Sequence, residues 1–598
     1  MDDLEARLRE ALAQVARGRL SRRAFVQACS RLGLSAPLAA SMLGTAGAQT
    51  GRSGGAPFAY RPTRRGGGGV LRILSWQAPT LLNQHFSSGA KDVLAARLFY
   101  EPLAAYDIDG SLHPVLIAEV PTLDNGGVAR DGLWVTCRLK RGVSWHDGEP
   151  FTADDVVFTC EFLAHAEAAA FTSGSVQGVK ARKLDAHTVR FDFATPRPAW
   201  ADLFVLQVLP KKHFAAYTGS RSREAPGNLR PVGTGPYRLV EFRPGDLVRG
   251  EANPAYHMPN RPHFDAVEIK GGGDSLSAAR SVLQTGDYDV AWMIAAEDDL
   301  LRRLESGGRG RLEYAPGGDT EYIMLNHADP WSEVDGERSS PRSRHPFLLD
   351  PAVRQALAHV IDRDSIQRYV MGRSAVPTPN FLNNPAPFNS VRRGLPFDPA
   401  RAAALLEAAG WTRGRDGVRA KGAQRLKMVF HTSTSSPRQK VQAIVKSAAQ
   451  TAGIEMELKA TSPAVYFSGD HGNPDTSGRF VADLQMHTVT RGGTDPGRFL
   501  ELFCSWQVAS RANKWLLRNI TRWRSDEYDR AYRAAESELD PVRRAAMLIR
   551  LNDTICDDLA IHPLFVRHKL AALRHDIQAP ISGWGAETGR IHDWYRAG

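Results

Sequence analysis

The chain has 598 residues, a net charge of +11, 42% apolar residues and five cysteines. That length exceeds what one hydrophobic core supports and implies roughly two to four domains. The basic residues stand singly among acids with no long Lys/Arg block, which argues against a nucleic-acid partner. Taken from the N-terminus, Ser21-Arg22-Arg23-Ala24-Phe25 precedes a mildly apolar stretch to Leu43 and the small residues Ala46-Gly47-Ala48. This order reads as a twin-arginine export signal cleaved after Ala48. Cys29 lies too close to the arginines to be a lipoprotein cysteine. No later stretch approaches ~20 uninterrupted apolar residues, so no other segment is expected to span a membrane. Residues 49–69, rich in Gly, Arg, Ser and Pro, read as a flexible leader. Cys137, Cys160, Cys504 and Cys556 remain after cleavage, none in a C-x-x-C pair. An oxidising compartment would allow one disulfide, and its partners stay open.

Val70–Trp76 predicts the opening strand and Asp92–Leu98 a helix, followed by Phe99-Tyr100-Glu101-Pro102-Leu103. Trp134–Leu139 alternates as a strand does. It leads into residues 141–162, RGVSWHDGEPFTADDVVFTCEF. There Asp147-Gly148 favours a turn. Thr152 supplies a helix cap, and Asp154 and Asp155 sit in the first turn, where carboxylates suit the positive end of the helix dipole. Residues 186–194 give another strand. Gly233-Thr234-Gly235-Pro236-Tyr237 describes a tight turn into a hairpin that runs on to Asn253-Pro254-Ala255-Tyr256. Tyr322–Asn326 reads as a strand and the charged stretch 332–344 as a loop. DPAVRQALAHVIDRDSI (350–366) and FDPARAAALLEAAGW (397–411) each open a helix with an Asp cap and Pro in the first position. Leu426–His431, Arg438–Ala452 and Gly453–Leu458 form a β–α–β unit, which predicts a parallel pair. A helix begins near Arg524, and Ile561–Phe565 is a further strand.

The stretch 141–162 resembles, nearly letter for letter, the signature of bacterial family 5 extracellular solute-binding proteins, the dipeptide, oligopeptide and nickel receptors of ABC importers. The Leu98–Leu103 segment, the G-T-G-P-Y…N-P-x-Y pair at 233–256 and the two Asp-Pro helices follow the same family pattern, and the resemblance runs over roughly residues 70–575. It implies an α/β, two-lobed periplasmic-binding-protein fold with an extra small domain. Domain I would comprise 49–107, 231–315 and 563–598, domain II 108–230, and domain III 316–562. It also implies a periplasmic monomer that holds a peptide or small-molecule ligand in an interlobe cleft and delivers it to a membrane permease, with no cofactor or metal.

The ligand-contacting residues expected from the resemblance are Trp76, Asn83, His85 and Phe86 after the first strand, Tyr322 and Asn326 at the first crossover, and Thr488, Arg491, Thr494 and Asp495 in the loop 488–498. This loop departs from the family. Peptide receptors often carry an Asp about three residues before the Asp/Glu-Pro pair, where it meets the peptide amine. Here Gly492, beside Arg491, stands before Asp495-Pro496. A guanidinium favours carboxylate or phosphate, so an acidic peptide-like, opine-like or sugar-derived solute joins the candidates. A nickel- or haem-type receptor of the same fold is the alternative. A periplasmic hydrolase is the weaker rival, since H-E-x-x-H and G-x-x-x-x-G-K-[ST] are absent from the sequence and G-x-S-x-G occurs only as Gly51–Gly55 in the glycine-rich leader, away from any strand–helix turn. His146 is expected to serve the fold.

Overall fold

The computed structural model describes residues 58–597 apart from 88, 169, 469–471 and 492. The expected export signal and its cleavage point lie outside the described residues. The chain divides into two compact units. Unit A comprises Pro57–Gly317, Gly492–Asp495 and His568–Gly598; unit B comprises Gly318–Arg491 and Pro496–Arg567.

Unit A is built on a seven-stranded mixed sheet. Its order is Gly310–Ala315, Lys569–Arg574, Val290–Ala291, Val70–Ser75, Ala266–Gly271, Leu247–Ala252 and Tyr237–Arg243. Val70–Ser75 runs parallel to both of its neighbours, and Leu71 and Ile73 point into a core shared with Phe99, Tyr237, Trp292 and Trp594. A second core lies under the three-stranded sheet of Trp134–Arg138, Thr188–Phe193 and Val179–Asp185. There Val135, Cys137 and Phe191 meet Val156 and Phe162 of the helix Ala153–Ala164.

The recurring motifs converge inside unit A. Thr152 Oγ1 accepts from the Asp154 amide at 3.3 Å, and Asp155 Oδ2 accepts from the Thr152 amide at 3.0 Å, closing a capping box. Asp155 Oδ2 also accepts from Trp145 Nε1, and its Oδ1 from the Lys211 amide. Asp154 points outward and pairs with Lys183 at 2.6 Å. His146 Nδ1 accepts from the Gly233 amide at 3.1 Å and its Nε2 donates to the Gly235 carbonyl at 3.0 Å. Both ring nitrogens are thus occupied by the neighbouring turn, and burial pushes the imidazole down to about 4. Gly233 is obligatory there, because a Cβ would lie 1.8 Å from the Phe99 carbonyl oxygen. Glu101, 2% exposed, gathers the remaining landmarks. It accepts from Thr234 Oγ1 (3.0 Å), Tyr256 Oη (2.8 Å) and His257 Nε2 (3.0 Å). Burial alone would raise its pKa, but His257 and the hydroxyl of Tyr256 outweigh it and hold the carboxyl at about 2.

One sequence expectation needs correction. The glycine run at the end of the expected flexible leader is held in place. Gly66, Gly67 and Gly69 take positive φ. This conformation turns the amides of Gly67 and Gly69 onto the Asp265 carboxylate at 2.8 and 2.9 Å, a small backbone nest. Gly66 and Gly68 donate to the carbonyls of Pro262 and His263, both at 3.0 Å.

Unit B carries a six-stranded sheet ordered Ala375–Pro377, Ile561–Arg567, Thr320–Leu325, Leu484–Val489, Lys427–Ser433 and Glu455–Thr461. Lys427–Ser433 and Glu455–Thr461 pair in parallel across the helix Ser436–Ala452, as the β–α–β pattern predicts. That helix stops at Gly453, whose φ of +88° is the left-handed cap glycine tolerates best. The helices Pro351–His359 and Pro399–Ala408 start on Asp350 and Asp398, whose side chains accept from Ala352 and Arg401 amides. The segment 332–344 is not wholly loop: Glu333–Val334 and Glu337–Arg338 pair as a short hairpin.

Candidate ligand-binding site

Strand Thr320–Leu325 is the central element of unit B and is buried at every position. Its side chains alternate between faces. Tyr322 and Met324 enter one core with Phe381, Phe499 and Phe503. Ile323 and Leu325 enter the other with Val441 and Val445 of the helix Ser436–Ala452. Glu321 shares that second face, where its 1%-exposed carboxylate requires compensation.

The compensation comes from three elements that meet at one end of the sheet. Arg438, in the first turn of the helix, donates Nε and Nη2 to the two Glu321 oxygens at 2.6 and 3.2 Å. Its Nη1 donates to Ser433 Oγ at 2.9 Å. Thr488, register partner of Glu321 on the adjacent strand, donates its hydroxyl to the same carboxylate. Arg567, the last residue of strand Ile561–Arg567, brings Nη1 to 3.7 Å from Glu321 and donates to Thr488 Oγ1 at 3.3 Å. Burial pushes the Glu321 carboxyl up, but Arg438 and then Arg567 and Thr488 pull it below the usual carboxylate range. Glu321 is therefore ionised and saturated.

Arg491 lies at the same end. Its amide donates to Asp319 Oδ1 at 3.0 Å, while the Arg567 amide donates to the Asp319 carbonyl at 2.8 Å. The Arg491 guanidinium donates to the Asn384 carbonyl and lies 5.5 Å from the Phe499 ring. Gly318 makes this packing possible, since a Cβ there would stand 2.7 Å from Arg491 Cδ. Gly318, Arg491 and Arg567, all at this end of the sheet, are also bounds of unit B.

The other expected site residues divide by exposure. Asn83 is fully buried; it caps the turn Gln84–Phe86 by accepting from the His85 amide and donates Nδ2 to Asn228 Oδ1, both at 2.9 Å. His85, also fully buried, accepts from Thr172 Oγ1 and donates to the Gln207 carbonyl at 2.8 Å each, and burial lowers its pKa to about 4. Phe86 packs edge-on against Phe162 at 6.2 Å. Tyr322 packs edge-on against Phe381 at 5.0 Å. Asn326 is fully buried and donates to Ser339 Oγ and to the carbonyls of Phe480 and Ala482. Trp76, Thr488, Thr494 and Asp495 remain half-buried. Trp76 donates Nε1 to the Met293 carbonyl at 2.9 Å. Gly493 leads into Thr494 past Tyr106 and Asp202: a Cβ there would lie 2.9 Å from the Tyr106 ring and 3.4 Å from the Asp202 carboxylate.

Glu321, Arg438 and Arg567 escaped the sequence reading because their meeting is long-range. One local signal was present: a lone carboxylate inside the apolar run T-E-Y-I-M-L must find a cation. The arrangement supplies fixed, charge-assisted donors suited to holding an oxyanion. No cluster of three or more His, Cys, Asp or Glu suited to a metal ion occurs among the described residues.

Comparison with known proteins agrees with this architecture. Residues 112–510 match the family model described as bacterial extracellular solute-binding proteins, family 5 Middle. Protein XP55 of Streptomyces lividans is 28% identical over 61% of this chain and 62% of its own length. Glutathione-binding protein GsiB of Pectobacterium atrosepticum is 27% identical over 56% and 60%. The chain thus spans about three fifths of the length of these two relatives. The probable ABC transporter periplasmic-binding protein SapA of Escherichia coli is 26% identical over 90% of this chain and 94% of its own. Among solved structures, NikZ from Campylobacter jejuni in complex with Ni(L-His) superposes with a TM-score of 0.74 at 21% identity, covering 88% of this chain and 99% of that one. AppA from Bacillus subtilis in complex with a nonapeptide gives 0.73 at 20%, covering 90% and 100%. These likenesses establish the α/β periplasmic-binding-protein fold. The chain belongs to the bacterial extracellular solute-binding proteins of family 5.

Proposed function

We propose that this chain is the solute-binding component of an ABC importer, and that it captures a peptide or peptide-like small solute outside the inner membrane and passes it unchanged to a separate permease. The observation that carries the reading is the family match across residues 112–510. The relatives support the ligand class: they include a glutathione-binding protein, an oligopeptide-binding protein and a probable periplasmic-binding protein of an ABC transporter. The reading includes a monomer exported through the twin-arginine signal, without enzymatic activity. It divides unit A into domains I and II and equates unit B with domain III. Among the expected site residues, Trp76, Thr494 and Asp495 contact the ligand, while Thr488 supports the charged cluster around Glu321. The buried Asn83, His85, Phe86, Tyr322, Arg491 and Asn326 hold the fold.

The test is calorimetric titration of the purified chain with di- to pentapeptides, followed by chromatography of the recovered peptide. One-to-one binding with the peptide recovered intact is expected. Absence of binding across the panel, or recovery of cleaved peptide, would overturn the reading.

A further inference from the structure

At the end of the unit B sheet the charges do not balance. Arg438, Arg491 and Arg567 face Asp319 and Glu321, which leaves one guanidinium in surplus. Arg438 spends all three of its nitrogens on Glu321 and Ser433. The Arg491 side chain is 3% exposed and engaged with Asn384. Arg567 differs from both. Among the described residues its side chain donates one hydrogen bond, from Nη1 to Thr488, and its ion pair with Glu321 is long at 3.7 Å. Its side chain is 23% exposed. Its backbone is nevertheless pinned through Asp319.

We infer that Arg567 is an anchor for a carboxylate group of the solute, with Glu321 and Thr488 as positioning residues. The physical argument has three parts. Glu321 cannot serve a ligand ammonium, because Arg438 and Thr488 already saturate it. A guanidinium with its Nε and Nη2 edge unpaired presents two parallel N–H donors, the geometry that matches a carboxylate in bidentate fashion. The contacts from Thr488 and Glu321 to Nη1 hold the guanidinium plane before the ligand arrives, which reduces the ordering cost of binding. The inference rests on the proposed solute-receptor function and specifies the chemistry of its ligand: the carboxylate is a peptide C-terminus, an acidic side chain or a non-peptide carboxylic acid.

Affinity-selection mass spectrometry on the full chain separates these sources. The probes are a tri- to pentapeptide library with free C-termini, the same library amidated, and the simple acids glutarate and gluconate. Wild type is expected to select free-acid peptides at least tenfold over their amides. Arg567→Gln should abolish that preference, and Arg567→Lys should retain part of it, since the charge persists without the planar fork. If Arg567→Gln shows a lowered urea midpoint, the Lys variant carries the comparison. Selection of amidated peptides rich in Asp or Glu, dependent on Arg567, supports the anchor with a side-chain carboxylate as its partner. Equal binding of acids and neutral amides overturns the anchor and leaves the peptide receptor standing. Arg567-dependent binding of glutarate or gluconate without any peptide supports the anchor and overturns the peptide ligand. Binding of no probe overturns both.

Discussion

Glu321 shows how one side chain can organise the end of a sheet. It is ionised inside the protein because two guanidiniums and a hydroxyl reach it from three separate elements. Breaking such a set is costly in one direction only. Replacing Glu321 with Gln leaves Arg438 and Arg567 facing each other without their counter-charge, and removal of one partner from a buried pair typically costs about 3–5 kcal/mol. The Glu321→Gln variant should therefore unfold at a markedly lower urea concentration at pH 7. An unchanged midpoint would mean that the carboxylate contributes nothing to the fold. Its partners could not be read from the sequence, since Glu321, Arg438 and Arg567 are separated by more than a hundred positions in chain order. Only the requirement for a partner was visible.

Whole elements were more legible than contacts. The Thr152 cap, the two Asp-Pro helix starts and the parallel β–α–β pair all follow from local chemistry, and each appears where the residues place it. A third start of the same kind, Asp540-Pro541, opens the seventeen-residue helix Pro541–Asp557, and its Asp540 side chain accepts from the Val542 and Arg543 amides. Its Asp cap and first-position Pro carry the same signal as the other two. The glycine run at 66–69 misled for a different reason: its composition suits a linker, and only the distant Asp265 converts it into a held turn. The adjacent carboxylates Asp154 and Asp155 separate cleanly in the structure. Asp155 is buried and joins the cap, Trp145 and Lys211, whereas Asp154 is solvated. Thr152→Ala should accordingly cost about 1 kcal/mol, as loss of a cap does. Asp155→Ala should cost more, about 2–3 kcal/mol, because it also leaves buried donors unmatched. Equal losses measured by chemical denaturation would contradict that division of roles.

Across the whole molecule, buried histidines dominate the response to acid. His85, His146, His431, His487 and His592 are pushed down to about 4, and His327 and His562 to about 3, in every case chiefly by burial. Each is neutral in the folded protein while its unfolded counterpart takes up a proton below pH ~6.5. The unfolded state thus binds more protons, and stability falls as pH drops from about 6.5 toward 4. A fully shifted site contributes about 1.4 kcal/mol per pH unit across that window. The thermal midpoint should therefore be steady from pH 8 to 7 and decline steeply between pH 6.5 and 5. A flat profile down to pH 5 would show that these rings titrate freely.

The proposed solute-receptor function predicts that the protein carries its solute through gentle purification. Mass spectrometry of the natively purified protein, before and after denaturation, reads this directly. The expected result is a one-to-one complex that liberates a small peptide or peptide-like acid, with the same mass recovered after days of incubation. A protein that carries nothing and is not stabilised by any added peptide, or one whose bound solute is progressively converted to fragments, would contradict it.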